Sequence, residues 1–226
     1  MLKHINGWII EGVVASGKTT FIRELQYVLA TKHPSRTKIY ISEHYTERVL
    51  EDKKAKFSLK VRDTISLALG FVEELEGIAS WKSESKFNQN QGNAIIDSTL
   101  ERFLGSHYAN LKALDLWHST SDEDSEIIDI YKRLQALGFS VVILKLPDSL
   151  IAQAIVNTKR YRNANWHKYL ETIGNEQQVI SYYLNWQNNL FEFYNRLYNF
   201  IEVKTIVVDP INHREHYEQE AIRLVK

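Results

Sequence analysis

Ten residues near the N-terminus, Glu11-Gly12-Val13-Val14-Ala15-Ser16-Gly17-Lys18-Thr19-Thr20, carry the densest chemistry in the chain. From Gly12 to Thr19 they fit the spacing G-x-x-x-x-G-K-[ST] without a mismatch. Glycines so placed let successive backbone N–H groups wrap an oligophosphate, and the positive end of a following helix adds to the attraction. Lys18 is expected to reach the β- and γ-phosphates, and Thr19 to offer its hydroxyl to Mg²⁺. Gly12, Ala15, Ser16, Gly17, Lys18, Thr19 and Thr20 are therefore the candidate residues for binding a nucleoside triphosphate. The flanks agree: Trp8-Ile9-Ile10 reads as a short buried strand, and Phe21, Ile22, Leu25, Val28 and Leu29 recur at helical spacing. A chance glycine turn is the bland alternative, and the full match within both flanks weighs against it.

Other candidate groups depend on the elements that present them. Lys38-Ile39-Tyr40-Ile41-Ser42 reads as a second strand ending at Glu43. In an open parallel sheet ligands lie beyond the carboxyl ends of the strands, so Glu43 is either a chemical group or a solvated loop glutamate. Asn93-Ala94-Ile95-Ile96-Asp97 reads as a short buried strand ending in a carboxylate, which places Asp97 as a metal-holding residue beside Thr19. Asp97 could equally cap the helix expected from Ser98-Thr99 onward, and the two roles are compatible. That expected helix carries Glu101-Arg102-Phe103.

The span from Phe57 to Trp81 suits one long helix, interrupted on its apolar surface by Arg62 and Asp63. Arg62 is either solvent-facing or a ligand contact. Ser121-Asp122-Glu123-Asp124-Ser125-Glu126 is expected to cap a helix running to Leu137 and stopping at Gly138; its spacing is not that of a calcium loop. Ser140 to Leu146 is the clearest buried strand. A further helix ends in Lys159-Arg160-Tyr161-Arg162-Asn163, where the basic residues either complement the helix dipole or form a lid over the triphosphate. Asn175 to Ile201 reads as a long helix with an aromatic core stripe, followed by strand Thr205–Val208 and helix Glu215–Val225.

The 226 residues suit one α/β domain. Lys plus Arg (28) balances Asp plus Glu (28), so no overall field would draw in a nucleic acid polymer or a membrane. With no cysteine, disulfides, thiolate metal sites and cysteine nucleophiles are excluded. The first strand starts almost at once, which argues against a signal peptide, and no apolar run is long enough to span a bilayer. A soluble, cytoplasmic protein is expected.

Taken together, these residues resemble the deoxynucleoside kinase and thymidylate kinase group of P-loop kinases over nearly the whole chain. Gly12 to Lys18 looks like the deoxynucleoside kinase form of the loop; thymidylate kinases usually have an acidic residue near Val14. Ile41-Ser42-Glu43 is similar to the strand end that carries the general base for a sugar 5′-hydroxyl, with His44 where a proline is usual. Phe57-Ser58-Leu59 followed by Arg62 resembles the helix with a base-reading side chain. Ile96-Asp97 resembles the strand-end acid near Mg²⁺, although Ser98 follows where arginine is expected. Glu101-Arg102-Phe103 looks like the D-R-Y element on the next helix, and Arg102 is assigned the role of the arginine missing at Ser98. Pro147-Asp148 leading to Arg160 and Arg162 is similar to the helix and arginine-bearing lid, and Asp209-Pro210 to the adenine-contacting loop.

The resemblance implies a single P-loop kinase domain over residues 1–226. Its fold would be a three-layer one, with a parallel five-stranded sheet flanked by helices and a lid at about residues 159–175. It implies ATP and Mg²⁺, with Glu43, Lys18, Arg102, Arg160 and Arg162 catalytic and Glu43, Arg62 and Arg102 binding the acceptor. The expected activity is phosphoryl transfer to a (deoxy)nucleoside 5′-hydroxyl. Arg48, Arg62 and Arg102 keep a nucleoside monophosphate viable as acceptor. Another small hydroxyl compound or a catalytically silent regulatory protein also remains open, while no N-K-x-D element supports a GTPase. Members of this group often pair as dimers, so a homodimer is compatible.

Overall fold

The computed structural model describes residues 5–42, 61–84, 95–159, 162, 164–209 and 213–225. Its elements run β1 (Ile5–Gly12), α1 (Lys18–Lys32), β2 (Thr37–Ile41), α2 (Val61–Glu84) and β3 (Ile96–Glu101). They continue as α3 (Leu104–Ala113), α4 (Ser121–Leu137), β4 (Phe139–Lys145), α5 (Asp148–Lys159) and α6 (Ala164–Ile173). The last three are α7 (Glu176–Leu197), β5 (Val203–Val207) and α8 (His213–Leu224). The five strands form one sheet in the order β2-β3-β1-β4-β5, and every neighbouring pair is parallel.

The central strands are buried on both faces, which is why β1 and β4 read as apolar runs rather than as alternating patterns. From β1 the chain passes to β2 and β3 on one side, then crosses to β4 and β5 on the other. The carboxyl end of β1 is thus the point where strand order reverses, the place where an open α/β sheet leaves a crevice. Helix α1 buries Phe21, Ile22, Leu25, Val28 and Leu29 against the core. Among the described residues no helix is long and apolar enough to cross a membrane.

The caps are local and chemical. Thr120 and Glu123 form a reciprocal capping box at the start of α4, with Asp122, Glu123 and Asp124 in the first turn. Gly138 ends that helix at φ 104°. Asn175 and Gln178 repeat the capping box on α7, whose aromatic stripe is core: Tyr182, Tyr183, Trp186, Phe193 and Tyr194 are all buried. Residues 57–60 of the long helix expected from Phe57 lie outside the described residues; the described part begins at Val61.

Strand β3 corrects the expected ending at Asp97. It runs Ile96 to Glu101, with Ser98 and Thr99 inside the strand and 1% exposed. Asp-Ser-Thr is a local helix-start signal, but β3 is paired on both edges, with β2 and β1, and that ladder satisfies its backbone groups. Asp97 is therefore the second residue of the strand and not its last.

Candidate active site

The loop after β1 wraps as the sequence spacing requires. Gly12 takes φ 151°, Ala15 φ 66° and Gly17 φ 79°. A Cβ on Gly12 would stand 2.6 Å from Ser16 Oγ and 2.9 Å from Leu144 O, so β4 backs the loop too closely for a side chain there. Lys18 opens α1 and is almost fully buried; its Nζ donates to Gly12 O (2.9 Å) and Val13 O (3.2 Å), which holds the ammonium across the loop. Thr19 is exposed in the first helical turn. Ser16 Oγ is buried with no protein partner. From the other side α8 closes on the loop: Tyr217 OH donates to Ser16 O, and its ring meets Phe21 edge-on at 5.4 Å.

The next strand along, β3, ends beside the loop at Glu101, which pairs with Ile10 in register. Glu101 is buried and Oε2 accepts from Tyr40 OH at 2.6 Å. Arg102 follows in the left-handed region at φ 63°, with its N–H donating to Ile10 O at 3.0 Å. A non-glycine residue in that region costs on the order of 1–2 kcal/mol, a strain typical of functional turns. Glu101-Arg102-Phe103 thus occupies the strand end and the turn after it, rather than a helix.

Beneath both strand ends lies Glu11, fully buried. Its Oε1 accepts from Phe103 N–H (3.1 Å) and Tyr194 OH (2.9 Å), and its Oε2 from Ser106 Oγ. Burial pushes this carboxyl above its ordinary value; the Ser106, Tyr194 and Phe103 donors and the nearby Arg102 charge pull the other way. Tyr194 OH also meets Tyr131 OH at 3.0 Å, and burial drives both phenols well above the usual tyrosine range.

A cavity of about 340 Å³ opens on the opposite flank of the loop. Gly17, Thr20, Leu146, Asn157, Val208 and Tyr217 are among its walls, so α5 and the segment after β5 meet the loop there. Gln187, buried on α7, fixes the Leu146 wall by accepting from its N–H (3.0 Å) and donating to its carbonyl (2.9 Å).

One sequence expectation lands away from this crevice. Asp97 pairs in register with Asn6, six residues before Gly12 on β1, or roughly 20 Å at about 3.3 Å per residue. There Oδ1 accepts from Asn6 Nδ2 (3.1 Å) and Arg36 Nη1 (3.3 Å), while His33 Nδ1 stands 3.4 Å from Oδ2. Asp97 is a buried anchor at the amino edge of the sheet, which corrects its expected place beside Thr19. Arg62 lies on the exposed start of α2 and ion-pairs with Glu126 of α4. Arg162, exposed between α5 and α6, stands 5.8 Å from the Trp166 ring centroid. Glu43, His44, Arg48, Arg160 and Pro210 lie outside the described residues.

The sequence reading left three contributors without a role here: Glu11, Glu101 and the Tyr217 clamp. For Glu11 the signal was present, as one charge inside an otherwise buried run.

Sheet order, crevice and glycine loop define a three-layer α/β architecture of P-loop type, a five-stranded parallel sheet flanked by helices. Among solved structures, a thymidylate kinase from Ehrlichia chaffeensis matches over 98% of this chain and 99% of its own, at 14% identity and TM-score 0.53. That likeness shows the fold. A deoxyadenosine kinase from M. mycoides with bound dATP matches more loosely, at 15% identity and TM-score 0.45 over 98% of this chain and 100% of its own. No family model and no curated protein matches the sequence.

Proposed function

We propose that the chain transfers the terminal phosphoryl group of ATP to the 5′-hydroxyl of a (deoxy)nucleoside. The observation that carries this reading is the juxtaposition of two strand ends. The phosphate loop closes β1, and Glu101-Arg102 closes the adjacent β3 at the same edge of the sheet. One site thus gathers a triphosphate cradle and a cation that can meet charge developing on the far side of the transferring group.

Lys18 and the loop N–H groups hold the β- and γ-phosphates. Arg102, with Arg160 and Arg162 from the segment between α5 and α6, neutralises the transferring oxygens. Glu43, next in sequence beyond β2, takes the proton of the attacking hydroxyl; the new bond joins that oxygen to the γ-phosphorus as the bond to the β-phosphate oxygen breaks and ADP leaves. The donor's base fits the cavity beside Gly17, whose Leu146 and Val208 walls suit a flat ring and whose Asn157 offers an amide.

The donor set also fits Mg²⁺. The Thr19 hydroxyl and the Glu101 carboxylate provide one or two protein oxygens, as Mg²⁺ shared with phosphates usually needs. Bound there, the ion supplies charge neutralisation at the phosphates. Glu101 takes this place in preference to Asp97, which is committed to Asn6, Arg36 and His33 at the other edge.

The test is acceptor-dependent ADP release across a panel of nucleosides and nucleoside monophosphates. Nucleoside-dependent release, lost on Glu43→Gln, is expected. Release with monophosphates alone would move the reading to a thymidylate-type kinase. Nucleotide binding with no transfer to any acceptor would leave a regulatory binding protein.

A further inference from the structure

Glu11 is a fully buried carboxylate that the proposed reaction does not use. A fully buried carboxylate costs several kcal/mol of desolvation unless donors surround it. Three do, and all come from one short stretch and the helix behind it. Phe103 N–H is the N-cap amide of α3, Ser106 Oγ lies in that helix's first turn, and Tyr194 OH reaches in from α7. No side chain of Phe103 can cap α3, so the Glu11 carboxylate serves as the anion at that helix's amino end. The charged and titratable groups facing it are Arg102, Tyr194 and, one step behind, Tyr131.

The residue before Phe103 is Arg102, held at φ 63°. Its own N–H is tied to Ile10 O, and the next N–H is tied to the Glu11 side chain. Consecutive residues of β1 therefore grip consecutive amides of the strained turn. Glu11 then hands directly into Gly12, the first residue of the phosphate loop. The Arg102 guanidinium is also close enough to Glu11 for its charge to act on the carboxyl.

We infer that Glu11 is a positioning residue: its carboxylate locks the strained Arg102 turn to the base of the phosphate loop, so fixing where the arginine stands relative to Lys18. The inference rests on the phosphoryl-transfer reading for its catalytic consequence. A helix cap alone would stabilise α3 without setting the arginine.

The experiment is a double-mutant cycle of Glu11→Gln and Arg102→Gln, with kcat and KM measured for ATP and for the acceptor that the nucleoside panel identifies. Expected for Glu11→Gln is a fall in kcat of about tenfold or more, with KM for ATP within about twofold. Arg102→Gln should then cost far less in the Glu11→Gln background than in the wild type. Two losses that multiply, or a Glu11→Gln change seen only in thermal midpoint, would overturn the inference. If Glu11→Gln fails to fold, Ser106→Ala with Tyr194→Phe keeps the carboxylate and removes two of its donors. The same shrinkage of the Arg102 effect is expected there, and its absence counts against the inference.

If the wild type transfers phosphate to no acceptor, the kinase reading falls and the lock is read separately, by amide hydrogen exchange. Faster exchange at Arg102 and Phe103 in Glu11→Gln would support it, and unchanged exchange at both would overturn it.

Discussion

Gly105→Ala sets two principles against each other, and the structure decides between them. Gly105 is the second residue of α3. Helix propensity alone makes alanine better than glycine by about 1 kcal/mol in a helix interior. Yet a Cβ at this position would stand 2.5 Å from Tyr194 Cε2, 2.6 Å from its hydroxyl oxygen and 2.7 Å from Cζ. Tyr194 is 2% exposed and its ring packs against Tyr131 and Phe193, so it has nowhere to withdraw. Overpacking of this kind costs about 1–3 kcal/mol.

Any shift of the ring also pulls its hydroxyl from Glu11 Oε1 and Tyr131 OH. Leaving buried polar partners short of a hydrogen bond costs about 1–3 kcal/mol more. The net expectation is a destabilisation of about 1–5 kcal/mol, opposite in sign to propensity. Urea unfolding followed by tryptophan fluorescence would measure it, with Tyr194→Phe as the control that loses the hydrogen bonds without the clash. A Gly105→Ala protein as stable as wild type would refute the claim that Tyr194 is clamped over the helix.

Gly17→Ala should destabilise by about 2–5 kcal/mol, combining about 1–2 for a left-handed alanine with about 1–3 for the overlap with Tyr217 at 2.9 Å. Urea midpoints check this, and calorimetry with an ATP analogue should show weakened binding in the same variant. Arg62→Ala should leave the thermal midpoint unchanged, because the Arg62–Glu126 pair is exposed on both sides; a raised acceptor KM would support a ligand contact for Arg62, and an unchanged one would leave it a surface residue. Glu11 gives stability a pH signature. Its folded value is raised by burial above 4.5, so its contribution is fully present below that value and is lost as pH rises through the folded one. The stability of wild type minus Glu11→Gln should therefore fall as pH rises above about 4.5, and parallel curves for the two proteins would contradict it.

The phosphate loop was legible because its chemistry demands fixed residues at fixed spacing, and both flanks carried strong periodicity. The helices were legible for a related reason: Thr120 with Glu123, and Gly138 at the stop, are local signals acted on locally. Strand β3 was not, because Asp97-Ser98-Thr99 looks like a helix start until the ladders to β1 and β2 are known. That single misplacement put Asp97 at the wrong edge of the sheet and left Glu101 at the right one without a role. The left-handed turn at Arg102 has no sequence signature, since arginine gains nothing from that conformation by itself. The cavity beside Gly17 needs residues of α1, α5, the segment after β5 and α8 together, which no window along the chain can show.

The contact between Tyr217 and Ser16 spans 201 positions of sequence. During synthesis the phosphate loop emerges early, but the phenol that braces it leaves the ribosome only after β1 to β5 have been made. A nascent chain lacking α8 has the motif without its support, with Phe21 missing its aromatic partner and Lys32 missing the Ile222 and Val225 carbonyls it binds. On the proposed reading, nucleotide capture would be delayed until translation has passed the entire sheet. Ribosome-bound chains ending just before His213 and followed by a flexible C-terminal linker should fail to retain immobilised ATP, whereas chains carrying α8 before the same linker should retain it.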